Sequence, residues 1–117
     1  MVSVQFETRK ENREVFMIVR GHAGQAEKGK DIICSAASIL AYTVAEYVEL
    51  MNNQGDLAET PIIQMKDGIT IVSCVAKTDD AYSFLLQAFY VCRLGYMLLV
   101  RNYPQYVEMI DVDGFLP

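Results

Sequence analysis

Apolar and polar residues alternate along residues 2–7, with the period of two that marks a half-buried strand. Residues 14–20 are rich in β-branched and aromatic side chains, and the charged run Arg9-Lys10-Glu11-Asn12-Arg13 separates the two segments. Together they read as a β-hairpin. From residue 32 to residue 52 the period changes to that of a helix. Ile33, Ala37, Leu40, Val44, Val48 and Met51 fall on one face, and Ser35, Tyr42, Glu46 and Glu49 on the other. Cys34 and Ser38 lie on the flank of that helix, continued by Ala41 and Ala45, whose small side chains leave room for another surface to approach. Residues 53–56 end the helix. Residues 62–65 and 69–76 read as two strands around Lys66-Asp67-Gly68, where Asp-Gly is a strong hairpin signal. A second helix runs over about residues 80–102, apolar around nearly its whole circumference, which predicts burial on more than one side. Pro104 stops it, and residues 107–112 suggest a last strand. The order β-β-α-β-β-α-β predicts an α+β two-layer sandwich, with two helices packed on a mainly antiparallel sheet.

The chain has 117 residues, the size of one domain, and no linker or repeat divides residues 1–117. About half of the residues are apolar and a fifth are charged, as in a folded globular protein. The net charge of −5 disfavours a dedicated nucleic-acid binder, which needs a basic surface to neutralise phosphates. No uninterrupted apolar run has the ~18 residues of a membrane span, and the start of the chain has no signal-like core. The expected location is therefore the cytoplasm, with no membrane partner. The three cysteines, Cys34, Cys74 and Cys92, form no CxxC pair. A disulfide framework is disfavoured, and with only one histidine a zinc site is too. No metal or other cofactor is expected.

The candidate chemistry sits where the first hairpin gives way to the first helix. His22 follows the second strand in a segment with three glycines, Gly21, Gly24 and Gly29. Such a segment is a loop, permissive enough to bring His22 back toward the helix. Asp31 is a favoured N-cap residue, which puts Cys34 in the first helical turn. Helix N-termini carry free N–H groups and partial positive charge, and both favour a thiolate. The Cys34 N–H is expected to bond to the Asp31 carboxylate, so an oxyanion would need other donors. Spacing alone leaves two readings open. A cysteine in an amphipathic helix is commonly a small buried hydrophobe, and a Cys-His pair without a third orienting group is a weak motif. Cys74 and Cys92 read as structural, Asp31 as a helix cap, and Ser38 as a polar residue one turn after Cys34.

The stretches Gly21-His22-Ala23-Gly24 and Gly29-Lys30-Asp31-Ile32-Ile33-Cys34-Ser35-Ala36-Ala37-Ser38 resemble the signature of the Prp family of ribosomal-processing cysteine proteases. That signature is GHA, a short loop, GxDIxC, then small residues and a serine one turn on. Ser35 departs from it, standing where many members have alanine, next to the sulfur. The resemblance implies a cysteine endopeptidase that removes a short N-terminal extension from a large-subunit ribosomal protein precursor after an aromatic-rich motif. It also implies a homodimer. Cys34 matches the family nucleophile and His22 the family base, while Asp31 and Ser38 match supporting positions. Gly21, Ala23, Gly24 and Gly29 belong to the loop expected over the substrate cleft. The alternatives are a non-catalytic, dimeric peptide-binding module associated with ribosome assembly, or a relative that processes phage proteins.

Overall fold

The computed structural model describes residues 1–24, 26 and 31–111. The elements follow in the order β1 (Val2–Arg9), a 3-10 turn (Lys10–Asn12), β2 (Glu14–Arg20), α1 (Ile32–Asn53), β3 (Ile62–Lys66), β4 (Ile69–Val75), α2 (Asp79–Asn102) and β5 (Val107–Asp111). This is the predicted order; Val112, the expected end of the last strand, lies outside the described residues. The strands form one sheet in the order β3-β4-β2-β1-β5. Three pairings are antiparallel, and β5 runs parallel to β1. The architecture is an α+β two-layer sandwich.

The period of two in the strands decides which face carries the helices. Val4, Phe6, Val15, Met17, Val72 and Cys74 are buried. Register joins them into rows across the sheet, Phe6 opposite Met17 and Met17 opposite Val72. These side chains share one core with the buried residues of both helices. Each large side chain withdrawn from water there stabilises the fold by roughly 1.5–3 kcal/mol.

Helix α1 lays Ile33, Ala37, Val44, Val48 and Met51 into that core, as its periodicity predicts. Ala41 and Ala45, expected on the flank, are buried too, and Ala41 lines the same cleft as Cys34 and Ser38. Helix α2 packs beside α1. The contact is close at Gly95, where a Cβ would come within 2.5 Å of a Leu40 methyl carbon. One residue on, the Tyr96 hydroxyl donates to the Ala37 carbonyl at 2.7 Å. The Tyr96 ring meets Phe6 edge-on, with centroids 6.2 Å apart. Tyr96, on α2, therefore ties that helix to the sheet and to α1 at Ala37, three residues after Cys34.

Helix α2 is capped by Thr78, whose hydroxyl accepts from the Ala81 N–H. Asp79 and Asp80 in its first turn and Arg101 in its last complement the helix dipole. Its buried stripe is Ala81, Tyr82, Leu85, Phe89, Cys92 and Tyr96. Burial on several sides, expected from its composition, is not found within one chain. One sheet and one neighbouring helix cover one side, and Phe84, Val91, Leu94 and Leu98 remain exposed. Both helices are long and apolar enough, by length and composition alone, to cross a membrane, although polar residues interrupt each apolar run. Each nevertheless packs an apolar stripe against the sheet, as core helices do.

Replacing Tyr96 with Phe removes the cross-helix hydrogen bond and keeps the ring. The expected loss is about 1 kcal/mol, read as a lower urea midpoint with an unchanged denaturant slope.

Candidate active site

Asp31 fixes the start of α1. Its backbone is extended, and its Oδ1 accepts from the N–H groups of Ile33 and Cys34, each at 3.0 Å. Its carbonyl begins the helical ladder by accepting from Ser35 N–H. The other carboxylate oxygen lies 3.4 Å from the Ala26 N–H, which carries the grip into the preceding loop. Asp31 is only 4% exposed, so these donors replace the water that the carboxylate loses. The expected cap is present, and the Cys34 N–H is engaged as anticipated.

Cys34 is half-buried, and its Sγ accepts a hydrogen bond from the Ala23 N–H at 3.1 Å. Ala23, expected in the loop over the cleft, is instead buried. Nothing in the sequence marked its amide as a partner of the sulfur. A backbone donor on sulfur is stronger for a thiolate than for a thiol.

His22 follows the end of β2. Gly21 makes this exit possible, with φ +92° and its N–H donating to the Gly68 carbonyl at 2.8 Å. A Cβ at Gly21 would collide with the Met1 carbonyl oxygen, so no larger residue fits. The His22 side chain is 58% exposed and leans toward the β3–β4 turn, with Nε2 3.8 Å from an Asp67 carboxylate oxygen. Among the described residues, no hydrogen bond joins His22 to Cys34. Asp67 is the neighbour that sequence reading missed, since Asp-Gly announced a hairpin without saying what the hairpin faces.

These elements surround an open cleft of about 510 Å³ between the first turns of α1 and the β3–β4 hairpin. His22, Asp31, Cys34 and Ser38 all line it, with Gly21 and Gly24 on one rim and Lys66, Asp67 and Gly68 on another. A shallower groove continues from Cys34 past Ser35, Ser38 and Ile39 to Tyr42. Ala23 supports the sulfur from below. Gly29 lies outside the described residues. The volume falls in the range of small-ligand sites, enough for a few peptide side chains. Among the described residues, no group of three His, Cys, Asp or Glu side chains is arranged to hold a metal ion.

The other two thiols differ in kind. Cys74 is buried in β4, where burial and then the charge of Glu14 push its pKa up to about 12. Burial does the same for Cys92 in α2, to about 12. A pKa above the solution pH leaves the neutral thiol, which is a poor nucleophile, so both act as packing groups.

An α+β sandwich that presents a half-buried thiol at a helix start, inside an open cleft, suits thiol chemistry on a bound ligand. Residues 1–108 match the model of the family described as cysteine protease Prp, and the chain belongs to that family. No match is found among curated proteins. Among solved structures, the chain is similar to the essential ribosomal processing protease Prp from S. aureus in complex with a covalently linked product peptide. The two are 23% identical, with a TM-score of 0.69, over 96% of this chain and 100% of that one. The same S. aureus protease in complex with a substrate peptide aligns at 19% identity and a TM-score of 0.65, over 96% and 100%. A protein from Streptococcus mutans is 24% identical, with a TM-score of 0.63, over 96% and 94%. At these identities the structures show a shared fold.

At pH 8 a thiol-specific chromogenic reagent is expected to label one cysteine of the native protein quickly, Cys34, and to reach Cys74 and Cys92 only after unfolding. Mass spectrometry of the labelled peptides checks the assignment; fast native labelling of Cys74 or Cys92 would contradict it.

Proposed function

We propose that this cysteine protease removes a short N-terminal extension from a large-subunit ribosomal protein precursor, cutting after an aromatic-rich motif. Cys34 is the nucleophile and His22 the base. The observation that carries the proposal is Cys34 Sγ at the capped start of α1, lining one cleft with His22 and already holding the Ala23 N–H. The S. aureus protease of the same fold is described as a ribosomal processing enzyme, which supports this substrate class.

In the proposed mechanism the Cys34 thiolate attacks the scissile carbonyl, and His22 carries the proton to the departing amine. The Ala23 N–H receives the developing oxyanion, because Asp31 already occupies the Cys34 N–H. Water then hydrolyses the acyl-enzyme. His22 faces Asp67 across 3.8 Å and makes no hydrogen bond to Cys34 among the described residues, so sulfur and imidazole come together when substrate fills the cleft. Asp31 holds the nucleophile's backbone, and Ser38 stands one turn along the cleft wall. Gly21, Ala23 and Gly24 belong to the segment next to the substrate. The protein works in the cytoplasm, where its precursor substrate is made, and needs no cofactor.

A peptide spanning the extension and the aromatic cleavage motif tests the activity. The wild type is expected to cut it at one bond. Cys34→Ala is expected to abolish cleavage, and His22→Ala to lower it by roughly 100-fold or more. Intact peptide with the folded wild type would refute this substrate assignment, and full activity of Cys34→Ala would refute the nucleophile.

We further propose a homodimer that forms through α2. Phe84, Val91, Leu94 and Leu98 are 60%, 64%, 42% and 51% exposed. Their spacings of seven, three and four residues form a straight apolar seam, the kind that a second helix covers. Sedimentation at micromolar concentration is expected to give a dimer for the wild type and a monomer for Leu94→Glu. A monomeric wild type would overturn this.

A further inference from the structure

The β3–β4 turn holds His22 through three contacts. The Gly21 N–H donates to the Gly68 carbonyl at 2.8 Å, so the backbone before the histidine is fixed to the turn. The imidazole lies against Gly68, where even a methyl group would come within 3.1 Å of Nε2. The same Nε2 faces an Asp67 carboxylate oxygen at 3.8 Å, an ion-pair distance longer than a hydrogen bond. The turn itself is short and rigid, since Lys66 pairs with Ile69 and only Asp67 and Gly68 lie between them. The carboxylate is therefore presented to the ring by a fixed backbone and is not a chance encounter of two long surface side chains.

An imidazole has two nitrogens, and a partner on one determines what the other can do. We infer that Asp67 is a positioning residue for His22, turning Nε2 toward its carboxylate and leaving Nδ1 as the nitrogen that serves Cys34. The inference rests on the reading of Cys34 and His22 as the catalytic pair, and it supplies the third group that the Cys-His pair lacks in the sequence. In the step it serves, the S–H bond of Cys34 breaks and an N–H bond forms at His22 Nδ1. The electron pair stays on sulfur, and the resulting imidazolium keeps its Nε2–H directed at Asp67. When the acyl-enzyme forms, Nδ1 gives that proton to the leaving amine nitrogen.

The size of the effect follows from exposure. His22 and Asp67 side chains are 58% and 63% exposed, so water and salt screen the pair, and its loss costs a fraction of the effect of losing His22 itself. A three- to ten-fold fall in kcat is expected, by order of magnitude, for Asp67→Ala, with KM little changed.

The test compares the wild type, Asp67→Ala, Asp67→Glu and His22→Ala. Each is assayed with the cleavage peptide and by the rate of Cys34 alkylation with iodoacetamide at neutral pH. The single histidine of the chain also allows its neutral tautomer to be read from imidazole nitrogen NMR without assignment. Support requires that Asp67→Ala lower kcat and the alkylation rate together, with an unchanged unfolding midpoint. Asp67→Glu must restore both, and neutral His22 must carry its proton on Nε2. Wild-type kcat in Asp67→Ala overturns the inference, as does a neutral His22 protonated on Nδ1, or a loss that Glu does not restore. Undiminished cleavage by His22→Ala is a separate result: it removes His22 as the base and takes the underlying reading with it.

Discussion

One buried carboxylate sets the frame of the site. Asp31 accepts the first N–H groups of α1, including that of Cys34, and reaches back to the Ala26 N–H. Without it, the first turn of the helix and the segment before it would have separate freedoms, and the sulfur would belong to a frayed end. With it, the thiol inherits the position of a helix whose other face is locked into the core by Ile33 and Ala37. The carboxylate also decides which donors are available. By taking the Cys34 amide it leaves the Ala23 N–H as the backbone donor to the sulfur.

The helix layer extends that control. Cys34 lies on the side of α1 next to the cleft, while Ala37, Leu40 and Ala41 meet α2 through Gly95 and Tyr96. The close approach at Gly95 and the hydroxyl of Tyr96 fix how far α1 can roll about its axis. Position and roll together determine where the sulfur points. The position of the Cys34 sulfur therefore depends on residues about sixty positions away in sequence.

Much of this was legible in the chain. Strand and helix periods gave all seven regular elements, because each element buries one face and hydrophobic pattern records burial directly. Asp31 as cap, Cys34 in the first turn, and Cys74 and Cys92 as packing groups followed from local rules that need no knowledge of the fold. What could not be read depends on long-range register. The burial of Ala41 and Ala45 depends on how the layers pack, and the contact of His22 with Asp67 comes from the pairing of β3 with β4 beside β2. Ala23 is buried and gives its N–H to the sulfur, and alanine carries no signal for that. In the second helix, composition showed how much surface is apolar but not how much one chain can cover.

The hydrogen bond between Gly21 and Gly68 has a mechanical consequence. It joins the histidine segment to the tip of a hairpin whose outer strand, β3, is the edge of the sheet. The cysteine, by contrast, is carried by the helix layer. The two walls of the cleft thus each carry one of the site's side chains, and they meet where the Ala23 N–H reaches the Cys34 sulfur. An occupant that spreads the walls separates sulfur from imidazole, whereas one that draws them together brings the two into register. Ligand shape at that opening therefore acts on reactivity directly, with no relay through the core.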